Sequence, residues 1–116
     1  MIRVEITRSG TSNIRGAVVR SLEVCGHAGY AAHGEDIVCA AASATAFTAA
    51  GALEELCGAP LGCATERDGY FKLDVPAFAD GDTAYRSEII MEAACIGYRQ
   101  IQASYPDYIT VYEKVI

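Results

Sequence analysis

The sequence predicts an α+β fold: a small, mostly antiparallel sheet with two helices, in the order ββαββαβ. Three observations predict it. Residues Met1 to Thr7 alternate Ile2, Val4 and Ile6 with Arg3, Glu5 and Thr7, the period of two expected of a half-buried strand. Ile37 to Ala52 is almost all Ala and other small or apolar residues, a helix-forming composition. Asp68-Gly69 lies between two short runs of strand character, which is a hairpin signal. A length of 116 residues accommodates one domain, residues 1–116, without room for a second core.

The elements follow in chain order. After the first strand, Arg8 to Arg15 contains Ser9, Gly10, Ser12 and Asn13, a composition that lets the chain reverse. A second strand is expected from about Gly16, with Val18, Leu22 and Val24 on one face and Arg20 interrupting the pattern. Gly26 to Gly34 reads as a glycine-spaced loop. The Ala-rich helix is expected to be shorter and more polar than a membrane span of roughly 20 continuous apolar residues. Its uniform apolarity points to burial against the sheet and a second subunit, with Gly58 as C-cap. Leu61 to Glu66 and Tyr70 to Val75 form the hairpin around Asp68-Gly69. Asp82 or Thr83 caps a second helix in which Ile89, Ile90, Ala93, Ala94, Gly97 and Ile101 recur at helical spacing, ending near Tyr105-Pro106. Tyr108 to Ile116 supplies the last strand. There is no internal repeat.

Composition narrows the function classes. Nine Lys and Arg against fifteen Asp and Glu give a net charge of -6, which argues against nucleic acid as a direct partner. The first strand lacks the continuous apolar run of a signal peptide, and no membrane association is expected. Five cysteines (Cys25, Cys39, Cys57, Cys63 and Cys95) form an odd set without a Cys-x-x-Cys pair. Neither a disulfide framework nor a finger-type zinc site fits that spacing, and a reducing cytoplasm does.

The informative segment runs Gly26-His27-Ala28 and then Gly34-Glu35-Asp36-Ile37-Val38-Cys39-Ala40-Ala41-Ala42-Ser43. With Asp36 as N-cap, Cys39 falls at the third helical position, where unpaired N–H groups and the positive end of the helix dipole favour an anionic sulfur. A thiolate is the nucleophile in cysteine chemistry. The loop between is long enough to return the helix start beside His27, which would supply the imidazolium and later protonate a leaving amine. Plainer roles stand beside these: a core cysteine, a hydrogen-bonded histidine, an N-cap aspartate that also orients His27, and turn glycines at Gly26, Gly29 and Gly34 that let a peptide backbone approach. Cys25, Cys57, Cys63 and Cys95 read as core residues, and His33 as solvated. A competing reading takes Cys25, His27, His33 and Cys39 as zinc ligands. No phosphate-binding loop is present, since the region has no Lys and no Gly-x-Gly-x-x-Gly.

The same run, continued to Ala44, resembles the signature of the bacterial ribosomal-processing cysteine protease family, Prp. The likeness extends over essentially the whole chain to Tyr105-Pro106-Asp107-Tyr108-Ile109. The resemblance implies a cytoplasmic, homodimeric endopeptidase that needs no cofactor. It would remove a short N-terminal extension from a large-subunit ribosomal protein, after an aromatic residue. By matching position, it implies His27 as general base, Cys39 as nucleophile and Asp36 in support, with Gly26, Ala28, Gly29 and Gly34 in the loop that meets substrate. First-turn N–H groups near residues 38 to 40 are expected to offer an oxyanion site. The loop Ala28 to Glu35 is expected to move to admit an extended peptide. Net negative charge suits a basic ribosomal substrate. Three functions are carried forward: a cysteine endopeptidase, a zinc-binding module, and a non-enzymatic dimeric ribosome-assembly factor.

Overall fold

The computed structural model describes residues 1–116, with the side chain of Leu61 left aside. Its elements are β1 (Ile2–Ser9), β2 (Val18–Cys25), α1 (Ile37–Cys57), a 3-10 turn (Leu61–Cys63), β3 (Ala64–Arg67), β4 (Tyr70–Asp74), α2 (Gly81–Ser104) and β5 (Ile109–Val115). The order ββαββαβ stands, with the 3-10 turn occupying the first part of the expected Leu61 to Glu66 strand. The five strands lie in the order β3-β4-β2-β1-β5. All neighbours pair antiparallel except β1 with β5, which run parallel because α2 carries the chain back across the sheet.

One face of the sheet presents Val4, Ile6, Leu22, Leu73 and Ile109, all fully buried, to a core completed by Val38, Ala42, Ala46 and Leu53 of α1 and Met91, Cys95 and Tyr98 of α2. The opposite face is polar and stitched on its surface, where Arg3 lies over the Tyr112 ring and the Tyr70 hydroxyl donates to Glu23. Helix α1 reaches 21 residues, and by length and mean hydropathy of 1.5 it is long and apolar enough to cross a membrane, contrary to expectation. The helix continues past Ala52 because Glu54 and Glu55 do not break it. It ends where Gly58, in the left-handed region at φ 69°, donates back to the Glu54 carbonyl. Its inner side packs as core, and the Tyr98 hydroxyl of α2 donates to the Ala42 carbonyl at 2.9 Å, tying the two helices together.

Three local expectations are corrected. In β2 it is Val19, not Val18, that is buried, because the register slips between Thr7 and Arg8: Thr7 faces Ser21 and Arg8 faces Val19, leaving Arg20 as the extra residue of a bulge. The inward parity of the strand therefore switches at the residue that interrupted the pattern. Helix α2 is capped by Asp80, not Asp82 or Thr83; Asp80 accepts from Thr83 N at 3.0 Å and from the Thr83 hydroxyl, which puts Thr83 in the third helical position. Finally, α2 buries the face read from its isoleucines only in part: Ala94 is buried and Ile90 and Ile101 pack half-buried against the core, whereas Gly97 is half-buried and Ile89 and Ala93 are exposed, and Ser87, Glu88, Met91, Glu92, Cys95 and Tyr98 also turn inward.

Arg8 lies opposite the inward acidic side of α2. Alternation along β1 points it inward, outside the turn to which composition assigned it, and it is buried. Its guanidinium grips Glu92 through both terminal nitrogens and also donates to Glu113 and to the Ala17 carbonyl. Burial pushes the Glu92 carboxyl up, but Arg8 and Arg15 outweigh it and hold it below the ordinary carboxylate range. Glu88, one turn earlier, accepts from the backbone and side-chain amides of Asn13. A buried charge must be matched. Arg8→Met, which leaves Glu92 only the exposed Arg15 as a cationic partner, should therefore lower the unfolding free energy by about 3 kcal/mol. Arg8→Met combined with Glu92→Leu should recover most of that loss, with urea denaturation as the measurement for both.

Candidate active site

Three segments converge beneath one cleft. The end of β2 runs into Gly26 and His27, the first turns of α1 carry Cys39, Ser43 and Phe47, and the β3–β4 turn brings Glu66 to Phe71 alongside. The cleft encloses about 450 Å³, within the range of small-ligand and peptide sites. His27, Cys39, Asp36, Gly26, Gly29, Gly34 and His33 all line it, and its apolar floor is Val24, Ala42, Ala46 and Phe71. The Ala28 side chain is instead buried in the core, and that residue contributes through its backbone.

Cys39 occupies the third position of α1 and is half-buried. Its Sγ accepts a hydrogen bond from the Ala28 N–H at 3.4 Å. The Gly-His-Ala run thus delivers a side chain from its second residue and an amide from its third. No hydrogen bond joins His27 to Cys39 among the described residues; His27 is exposed and packs against Gly69 of the β3–β4 turn. The other cysteines are free. Cys95 is fully buried, and burial pushes its thiol up to about 11; burial also raises the Cys63 thiol. Cys25, Cys57 and Cys63 are half-buried rather than fully in the core.

Asp36 is the N-cap, but it does more than cap. Its Oδ1 accepts from Val38 N at 2.9 Å and Cys39 N at 3.0 Å, and its Oδ2 accepts from Tyr30 N at 3.0 Å and Ala31 N at 3.3 Å. One carboxylate clasps the loop to the helix start, and none of its bonds goes to His27. Desolvation pushes this carboxyl up, and the N–H groups of Cys39, Ala31, Tyr30 and Val38 outweigh it and hold it below its ordinary value. The expected oxyanion donors are corrected by the same bonds. Val38 N and Cys39 N are spent on the Asp36 side chain and Ala40 N on the Asp36 carbonyl, so residues 38 to 40 present no free N–H. The loop is anchored a second time, through the Tyr30 ring, which meets Tyr105 and Tyr108 edge-on at 5.6 and 5.1 Å. The Tyr30 anchor was not legible from the sequence, since Tyr105 and Tyr108 are remote from it.

The zinc reading finds no ligand set: among the described residues no three His, Cys, Asp or Glu side chains gather to hold a metal ion. A thiol on a helix start and an imidazole just past a strand end open into one cleft of an α+β fold, and these are the residue types that a cysteine peptidase uses. Residues 1–110 match the family described as cysteine protease Prp, and the chain belongs to that family. It is 32% identical over 117 residues to the ribosomal processing cysteine protease Prp of Bacillus subtilis (strain 168), covering 100% of both chains. It is similar in structure to the essential ribosomal processing protease Prp from S. aureus in complex with a covalently linked product peptide, with a TM-score of 0.80 and 26% identity over 98% of this chain and 100% of that one. The complex of that protease with a substrate peptide gives a TM-score of 0.74 at 26% identity, with the same coverage of both chains. The protein is a cysteine protease, and the non-enzymatic reading is set aside.

The clasp has a pH signature. A carboxyl whose value is lowered on folding adds stability above its unfolded value and loses that contribution as pH falls through the folded one. Asp36→Asn should therefore melt below the wild type at pH 7. The difference should narrow as pH drops below the ordinary value of 3.8, as followed by thermal denaturation across pH.

Proposed function

We propose that the chain removes a short N-terminal extension from a large-subunit ribosomal protein, cutting after an aromatic residue, with Cys39 as nucleophile and His27 as general base. The observation that carries this reading is the placement of the Cys39 sulfur, at a helix start and under the Ala28 N–H, in the cleft that His27 also lines. The Cys39 thiolate attacks the scissile carbonyl, and the bond from sulfur to carbon forms as charge builds on the carbonyl oxygen. The imidazolium of His27 protonates the departing amine as the peptide bond breaks, leaving an acyl-enzyme. Water, deprotonated by the same imidazole, then releases the trimmed extension and returns the thiol. Asp36 acts by fixing the segment that carries Ala28 and Tyr30 to the helix that carries Cys39.

The occupants of the cleft fit that substrate. Ala42 and Ala46 leave an apolar floor beside Phe47 and Phe71, whose rings meet edge-on at 6.0 Å, a surface suited to an aromatic side chain. Peptide binding is further supported by the product and substrate peptides held by the S. aureus protease. The ribosomal substrate is supported by the name of the Bacillus subtilis relative, and net charge of -6 complements a basic chain. Loop movement on substrate entry would be confined by the Asp36 and Tyr30 anchors to the stretch around His33 and Gly34. Tyr85, Ile89 and Ile96 lie on one exposed side of α2, at spacings that bring them together, and support a homodimer. Five free cysteines agree with a cytoplasmic location.

Purified enzyme incubated with the ribosomal protein bearing its extension should trim it. Cys39→Ala and His27→Ala, shown to be folded by circular dichroism, should each lose about 10⁴-fold or more of the rate. Trimming at the wild-type rate by Cys39→Ala would end this reading.

A further inference from the structure

We propose that Gly69, in the turn between β3 and β4, is a positioning residue for the His27 imidazole. The inference rests on His27 acting as the general base and assigns the wall against which its ring is set. A Cβ placed on Gly69 would stand 2.9 Å from His27 Nε2, 3.5 Å from Cε1 and 3.7 Å from Cδ2, so the imidazole lies flush on the bare backbone of the turn. The turn itself is fixed. Gly26 N donates to the Gly69 carbonyl at 2.9 Å, and Cys25 and Tyr70 are paired in the sheet immediately beside it. The residue before His27 is therefore bonded to the residue that walls its ring.

The absence of a side chain at position 69 answers two demands, and they can be told apart. Its φ of +71° is the left-handed region that favours glycine in any turn. Gly16, Gly29, Gly34 and Gly58 share that backbone requirement, yet a Cβ on any of them would meet nothing within 4 Å. Gly69 alone combines a positive φ with an imidazole in the space its side chain would fill. Of the two partners, the ring is at the free end of an exposed side chain and the turn is hydrogen-bonded into the sheet. A methyl at 69 would therefore move the ring, in addition to the backbone strain that its positive φ imposes on any side chain. A displacement of about 1 Å in a catalytic group costs on the order of 100-fold in rate.

The test uses Gly69→Ala and Gly69→Asn, because Asn tolerates positive φ while still carrying a Cβ. Gly16→Asn serves as a control for backbone strain alone. With a peptide spanning the extension as substrate, both Gly69 variants should keep KM within about twofold and lose kcat by about tenfold or more, and the His27 ring resonances should shift. Gly16→Asn should change none of these. In the wild type, a nuclear Overhauser effect should connect the Gly69 Hα protons to the His27 ring. Its absence would overturn the contact whether or not the variants fold. If His27→Ala is inactive while the Gly69 variants keep full kcat and unshifted ring resonances, the positioning role fails and the dyad reading survives. If His27→Ala cleaves normally, both fall.

Discussion

The Asp36 carboxylate is the junction on which the site depends. Four backbone N–H groups, two from the loop after β2 and two from the first turn of α1, meet on its two oxygens. Because Tyr30 is also held by Tyr105 and Tyr108, the loop is fixed both to the helix that carries the nucleophile and to the connection that leads into β5. The Ala28 N–H can then point at the Cys39 sulfur. The same bonds have an electrostatic consequence. The N–H groups of the first turn, which would otherwise face the sulfur's charge, are already partnered by a negative group, so the helix start contributes less to an anionic sulfur than its position suggests.

At the other end of the sheet, a second charged contact meets α2. Arg8 pairs with Glu92 on the inward, acidic side of the helix, and Ile89 and Ile96 lie outside. Hydrophobic periodicity read from α2 alone found only part of its buried side: Ala94 is buried as the pattern required, while Glu88 and Glu92 also turn inward. The pattern assumes that the core is apolar, and here one end of the core is an ion pair whose members are 84 residues apart.

The parts of the fold that were legible are those decided by neighbours in sequence. The Ile2, Val4, Ile6 alternation, the Ala-rich run ended by Gly58, and the turn at Asp68-Gly69 each carry their own backbone logic, and each forms where its local chemistry directs. The motif placed His27 and Cys39 in one cleft for a similar reason, since only a loop separates them. What was not legible depends on distant residues. The bulge at Arg20 requires the register with β1, the second loop anchor requires Tyr105 and Tyr108, and the wall at Gly69 requires the β2–β4 pairing. The oxyanion expectation failed on a shorter scale: an N-cap aspartate that satisfies the first-turn amides also removes them from other use.

The alanines of α1 connect composition to the cleft. A helix packed on a sheet with larger side chains at positions 42 and 46 would close the space between Phe71 and the helix, since one added isobutyl group occupies volume that neighbours must surrender. Alanine at both positions leaves the floor of the cleft open, and the Ala42 carbonyl accepts the Tyr98 hydroxyl of α2. The residue type that makes α1 helical therefore also makes it thin, and the thinness is what turns a helix-on-sheet contact into a peptide-sized site. Cys39, the proposed nucleophile, sits on the first turn. Farther along α1 the cleft is bounded by Phe47, so Cys39 stands where the helix start, the loop amide and the hairpin turn meet around the open space.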